Sequence, residues 1–305
     1  MTMTRRTFVQ GSVAGATAAM MPTVALSQPT APATRPIPSS GEMIPVVGLG
    51  TWITFNVGDD PVLNGECADV MAAFFEAGGR MIDCSPMYGS SQPVIGRGLE
   101  RLGRPGALFS AEKVWTSSSA SGSAQIEQSR RHWGVQHFDL VQVHNLVAWE
   151  AHLQTLFKMK AAGEIRYVGI TTSEGRRHDL FEEIMRGQPL DFVQLTYNII
   201  DREAEERLLP LAADRGIAVI VNRPFKQGAL TRRLEGEPLP GWTNDIGAST
   251  WAQFILKFIL SHPAVTVVIP ATTRVDHVRE NVAAAAGLLP DAAMRERMAA
   301  HIRDP

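Results

Sequence analysis

From residue 43 onward the chain alternates eight short apolar runs with longer amphipathic stretches, and this alternation constrains the fold more than any other feature. The runs are 46–49, 81–84, 108–113, 138–144, 167–171, 192–196, 218–222 and 265–269. Strands covered on both faces are apolar without alternation, as strands of a buried parallel sheet must be. Between them, Cys67, Val70, Met71, Phe74 and Phe75 fall on one helical stripe that Gly78-Gly79 stops. Leu153, Leu156, Phe157 and Met159 repeat the pattern before Gly163, and further helices are predicted over 204–215, 251–260 and 277–286. Eight strand and helix units in about 250 residues predict an α/β fold, a single (β/α)8 TIM barrel over 43–305. The competing open, doubly wound sheet normally announces a dinucleotide site by GxGxxG after its first strand. GLGTWI at 48–53 meets that pattern only in part.

The first residues stand apart. MTMTRRTFVQ opens with a basic pair, Arg5-Arg6, and no charged side chain occurs from Thr7 to Thr34. A basic start, a weakly apolar middle and small residues near Ala25 and Ser27 read as an export signal over 1–27. Its adjacent arginines, with Phe8 two places on, resemble the twin-arginine type. Gly, Thr and Pro22 make the segment a poor membrane-spanning helix, so no stable membrane association is expected once it is removed. The expected location is periplasmic or otherwise exported. Residues 28–42, rich in Pro, Thr, Ala and Ser, read as a flexible lead-in.

With 31 acidic and 29 basic residues the formal charge is −2, which gives no global field for nucleic acid. Cys67 and Cys84, the two cysteines, read as buried small hydrophobes. No metal-ligand spacing is present.

In a barrel of this kind the chemistry sits at the carboxyl ends of the strands, so polar residues that end apolar runs are the candidates. Asp83 closes the second run, Lys113 the third and His144 the fourth, and Tyr88 follows Asp83 in its loop. Each has a plain structural reading: a helix cap, a strand end reaching solvent, a satisfied core histidine, a packed ring. Together they would converge on one bowl. A phenol with an ordinary pKa near 10 is a feeble proton donor unless a cation favours its anion, and Lys113 would supply that cation. Asp83 would hold the ammonium charged, and His144 would orient a carbonyl oxygen. Such a set, with neither nucleophile nor metal, suits proton delivery to an oxygen that gains charge, as in carbonyl reduction by hydride. The protein itself has no hydride, so a nicotinamide cofactor is implied.

These segments resemble the aldo-keto reductase family from Val46 to about Val282. IPVVGLGTW, GGRMIDCSPMYGSS, AEKVW and LVQVHN are similar to its first four strand motifs, and GEIRYVGITTS, DFVQLTYN, VNRPFKQGAL and VVIPATTRVDHVRENV to later ones. The resemblance implies that Asp83, Tyr88, Lys113 and His144 are catalytic, with Tyr88 the proton donor. It implies NADPH, or NADH, as a diffusible cofactor, an aldehyde or ketone as substrate, and a monomer. It places Gly50, Thr51, Trp52, Thr171, Thr172 and Gln194 at the cofactor, with Thr172 and Gln194 at the carboxamide. Asn222, Arg223 and Pro224 follow, with Gln227, Gly228 and Leu230 along the pyrophosphate. Thr272, Thr273, Arg274, His277, Glu280 and Asn281 would surround the adenosine end.

The chain departs from the family where an aromatic ring commonly stacks on the nicotinamide, because Asn222 stands there. It departs again at the 2'-phosphate grip, where it has Ala271 and His277 and keeps Arg274 as the evident cation. Trp52, Trp115 and Trp149 follow three strands and are expected to line an apolar mouth, with 231–247 as a lid. A second reading is a nucleotide-binding regulatory or redox-sensing barrel that retains NADP(H) without fast turnover. A hydrolytic barrel lacks a second carboxylate paired with Asp83.

Overall fold

A computed structural model describes residues 33–303. The export signal expected over 1–27, and the first part of the lead-in, lie outside the described residues. Eight parallel strands curl into a barrel: β1 (Leu49–Gly50), β2 (Met81–Asp83), β3 (Phe109–Val114), β4 (Phe138–Val143), β5 (Ile165–Thr171), β6 (Phe192–Thr196), β7 (Ala218–Asn222) and β8 (Val267–Val268). They pair in sequence order. Bridges Val47↔Val268 and Gly50↔Ala271 join the last strand to the first. Gly50 is required at that seam, because a Cβ there would lie 2.8 Å from the Ile269 carbonyl oxygen.

The alternation of side chains along each strand decides what faces the interior. Met81, Phe109, Ala111, Leu140, Tyr167, Phe192, Ala218 and Ile220 form one buried cluster inside the barrel. Their neighbours of opposite parity, among them Ile82, Val141, Val168, Val193 and Val219, pack outward on the helices. Counting by twos from the inner cluster arrives at Asp83, Lys113, Gln142, Thr171, Gln194 and Asn222. The polar ends of the strands therefore point inward at one rim.

The helices obey their own local rules. Asp60 caps Pro61–Glu76 by accepting from the Val62 and Leu63 amides at 2.9 and 3.1 Å, with proline at the first helical position. Gly78, at φ +84°, turns the chain out of it.

The lead-in expected to run flexibly to residue 42 is corrected here. Thr34–Pro36 pairs antiparallel with Met43–Pro45, and Ile37 and Ile44 are fully buried in the inner cluster. Arg35 fixes the hairpin by donating to the carbonyls of Leu260 and His262 at 2.6 and 3.0 Å and to that of Val265. Two buried isoleucines make an ordered plug from a segment whose composition reads as a linker. Ala292–Arg303 adds a C-terminal helix not anticipated from the sequence. Among the described residues no helix is long and apolar enough to cross a membrane.

Candidate active site

The four residues singled out at strand ends meet. Lys113 Nζ donates to Asp83 Oδ1 at 2.6 Å and to the Cys84 carbonyl at 2.7 Å, and lies 5.1 Å from the centre of the Tyr88 ring. Lys113 is fully buried and Asp83 1% exposed. Burial, the largest single influence, works to strip the ammonium of its proton, but the charge and hydrogen bond of Asp83, together with Tyr88 and Glu112, outweigh it, and the lysine pKa is raised. The lysine is therefore charged at neutral pH, as the sequence led one to expect. The His144 ring stands edge-on to Tyr88 at 87°, with centroids 5.8 Å apart.

The phenol behaves differently from the expectation. Burial raises the Tyr88 pKa further than the nearby ammonium lowers it, and Asp83 adds to the rise. The ammonium thus opposes the cost of burial without reversing it. His144 is held neutral, its pKa pulled down to about 2 by burial and then by the charge of Lys113.

Several partners were not anticipated. Gln194 Nε2 donates to Asp83 Oδ2 at 2.8 Å, so both carboxylate oxygens are engaged. Ser85 Oγ lies 2.6 Å from His144 Nδ1. Thr51 Oγ1 donates to the Asp83 carbonyl at 2.7 Å, and Ser91 Oγ to the Tyr88 carbonyl at 2.8 Å, fixing the strand end and the loop. Gly89, at φ +62°, allows the turn after Tyr88; a Cβ there would run into Asn56. Glu112, of opposite parity to Lys113, faces the helices. It accepts from Gln92 Nε2, Trp133 Nε1 and the Lys113 amide, each at 2.8 Å. Burial lifts its pKa to about 7 despite these donors.

Above the four residues lies a cavity of 330 Å³. Of the residues assigned to a cofactor by resemblance, Gly50, Thr51, Trp52, Thr171, Thr172, Gln194, Asn222, Arg223, Pro224, Gln227 and Gly228 line it, beside Asp83, Tyr88 and His144. Leu230, Thr272, Thr273, Arg274, His277, Glu280 and Asn281 lie outside its lining. Trp52 lines the mouth, with Arg223 stacked 4.9 Å from its ring and paired to Glu174 at 2.7 Å. The expectation for the other tryptophans is corrected: Trp115 is 40% exposed, Trp149 begins a helix, and neither lines the cavity. The expected lid over 231–247 does not reach the cavity lining either. Its Trp242 packs on Phe254, His301 and Arg297 instead, because the helix that follows and the C-terminal helix offer it apolar and cationic partners.

Backbone conformation marks the same rim. Ile53, Asn145, Leu146, Ala148, Glu174, Arg177, Arg223, Lys226 and Gln227 all have positive φ, and each lies in a loop that follows a barrel strand. Such conformations cost energy and persist where the surroundings hold them, as functional sites do. Among the described residues no cluster of three or more His, Cys, Asp or Glu is arranged to hold a metal ion.

Comparison with known proteins agrees with this geometry. The model of the aldo/keto reductase family matches residues 46–301. An NADH-specific methylglyoxal reductase from Escherichia coli is 26% identical over 301 residues, covering 78% of this chain and 89% of the relative. Two solved structures share the fold. An aldo/keto reductase from Klebsiella pneumoniae in complex with NADP and acetate has a TM-score of 0.72 at 22% identity, covering 87% of this chain and 94% of the other. The holo form of an aldo-keto reductase from Bacillus halodurans has a TM-score of 0.73 at 21% identity, covering 89% and 96%. A family match across most of the barrel, with its strand-end residues assembled around one cavity, leads to one statement: the chain belongs to the aldo/keto reductase family.

Proposed function

We propose that this protein reduces an aldehyde or ketone to an alcohol, with Tyr88 as proton donor and a reduced nicotinamide dinucleotide as the hydride source. The observation that carries the reading is that Tyr88, Asp83 and a neutral His144 line one cavity, with the ammonium of Lys113 buried behind them, paired to Asp83 and 5.1 Å from the Tyr88 ring.

The cavity walls fit the nicotinamide end of the dinucleotide. Thr172, Gln194 and Asn222 line the cavity; Gln194 Nε2 is committed to Asp83, the Thr172 hydroxyl to the Arg176 carbonyl and Asn222 Nδ2 to the Thr172 carbonyl, so these residues turn oxygen acceptors toward a carboxamide N–H. The turn 223–228 carries positive φ at Arg223, Lys226, Gln227 and Gly228, a backbone of the kind that gathers N–H groups around anions, and Arg223 adds a guanidinium. When bound, the reduced nicotinamide supplies hydride to the carbonyl carbon.

The carbonyl oxygen then gains charge, and the chain's own groups answer it. Tyr88 donates its proton; a positioned donor of this kind contributes roughly 10²–10⁴-fold. Two of the three Lys113 N–H donors are spent on Asp83 and Cys84, which leaves the third to stabilise the phenolate that forms. A high phenol pKa keeps the donor protonated until the oxygen demands it.

The Escherichia coli relative supports a small carbonyl compound as substrate and keeps NADH beside NADPH as cofactor. Purified protein mixed with either dinucleotide and a panel of aldehydes that includes methylglyoxal is expected to deplete reduced nicotinamide absorbance. Binding without turnover across a broad panel would favour the regulatory barrel instead. We further propose that residues 1–27 direct export and that the mature chain is a monomer. Terminal sequencing of protein from a host with twin-arginine export should find a start near Gln28, and sedimentation should give a single-chain mass. A product that retains Met1 would overturn the export reading.

A further inference from the structure

We propose that Ser85 is a positioning residue: its hydroxyl donates to His144 Nδ1, fixes the tautomer protonated on Nε2, and so aims an N–H donor rather than a lone pair into the cavity. The consequence for catalysis rests on the carbonyl-reducing reading above, whereas the tautomer itself does not.

The argument is one of hydrogen counting. Ser85 is fully buried just past the end of β2. Its oxygen lies 2.6 Å from His144 Nδ1 and accepts the Met87 N–H at 3.2 Å. A hydroxyl has one hydrogen and a neutral imidazole one N–H, and His144 is neutral because burial and Lys113 disfavour its cation. If Ser85 donates to Nδ1, the hydroxyl is satisfied on both counts and the histidine hydrogen sits on Nε2. If Nδ1 carried the hydrogen, the serine hydrogen would need another acceptor. Among the described residues the hydroxyl meets only His144 and the Met87 amide, so that hydrogen would be buried without a partner, which is unfavourable.

With Nδ1 committed, Nε2 is the nitrogen left to the cavity that His144 lines. A carbonyl oxygen there would receive hydrogen bonds from the Tyr88 hydroxyl and from Nε2–H. The opposite tautomer would turn a lone pair on an oxygen that is gaining negative charge, which opposes the reaction. Ser85 could instead serve only to close its loop through the Met87 amide, and the two roles separate experimentally.

The test uses the full chain labelled with nitrogen-15 at histidine, observed by long-range proton–nitrogen correlation without carbonyl substrate. His144 is assigned by the resonances lost in His144→Gln. The expected pattern is that of Nε2–H, unchanged across neutral pH. A pattern of Nδ1–H, or an averaged one, overturns the proposal. In Ser85→Ala the His144 signals should move toward a tautomer mixture. Its kcat should fall about tenfold, less than the roughly 10²–10³-fold of losing such a donor outright, with dinucleotide affinity unchanged. Ser85→Thr, which keeps the hydroxyl, should restore the wild-type pattern. Loss of dinucleotide binding in step with turnover in Ser85→Ala would show a structural role only and overturn the proposal. Should the wild type turn over no carbonyl compound, the functional reading fails while the tautomer signals still decide the role of Ser85.

Discussion

Gln194 donates to the oxygen of Asp83 that Lys113 does not use, at 2.8 Å against 2.6 Å for the lysine. β2 and β6 are far apart in the barrel order, so this bond spans its interior and fixes the carboxylate from both sides. The ammonium beneath Tyr88 is thus placed by a carboxylate that is itself placed.

Replacing Asp83 by Asn is expected to be costly twice over. It leaves the Lys113 charge buried without its partner, which typically destabilises by about 3–5 kcal/mol. It also removes the influence that raises the lysine pKa, so the phenolate loses its support. Urea denaturation should show the lower stability, and turnover should fall by two orders of magnitude or more, roughly the span of general acid catalysis. Wild-type stability in the variant would mean that the pair is dispensable to the fold.

The titration of the site gives a second test. The proton donor must be protonated, and the Tyr88 pKa lies above its ordinary value of about 10. Reduction should therefore hold its rate through neutral pH and fall only in strongly basic solution. His144, at about 2, should add no inflection near the ordinary histidine value of about 6.5. A profile of kcat/KM against pH in His144→Gln and the wild type checks both statements. Tyr88→Phe should lose most turnover while it binds dinucleotide nearly as well.

Glu112 makes a prediction about stability. Its folded pKa, about 7, is above that of a free glutamate, so the native state binds this proton more tightly than the unfolded chain does. The contribution is fully present below the unfolded value and is lost as pH rises through the folded one. The loss is on the order of 3 kcal/mol between acid and neutral pH. Denaturation midpoints should decline over that range in the wild type and stay flatter in Glu112→Gln.

Much of this arrangement was legible in the sequence because a buried parallel strand has little reason to end in a charge. Asp83, Lys113 and His144 stood out against apolar runs, and the count of eight runs closed the barrel. Glu112 left a signal too, since a carboxylate inside FSAEKV has no solvent to face and must find donors. Ser85 and Gln194 were different. A serine in a loop can satisfy itself in many ways, and a glutamine at a strand end serves a cofactor or a neighbour equally well. Only the inward convergence of β2, β4 and β6 decides which groups they meet. The plug at 34–45 was hidden because its strands are three residues long and proline-bounded, so its order comes from Ile37, Ile44 and Arg35 rather than from periodicity.

The choice between the two dinucleotides is predicted to turn on Arg274. The resemblance sets this residue at the adenosine end, where it is the evident cation for a 2'-phosphate. Its guanidinium is already engaged, donating from Nε to Asp276 at 3.0 Å and from Nη2 to the other carboxylate oxygen. The pair is exposed, so a phosphate can displace Asp276 from the guanidinium, but the carboxylate also repels a second anion beside it. A ribose 2'-hydroxyl meets no such penalty and can donate to the same oxygens. Asp276→Asn keeps the shape, removes the competing charge and frees the arginine fork for phosphate. The expected outcome is a several-fold lower KM for NADPH with that for NADH little changed, the effect shrinking at high salt as exposed charges are screened. Steady-state kinetics with both dinucleotides at two ionic strengths measures it. An equal change for both would place the adenosine end elsewhere on the barrel rim.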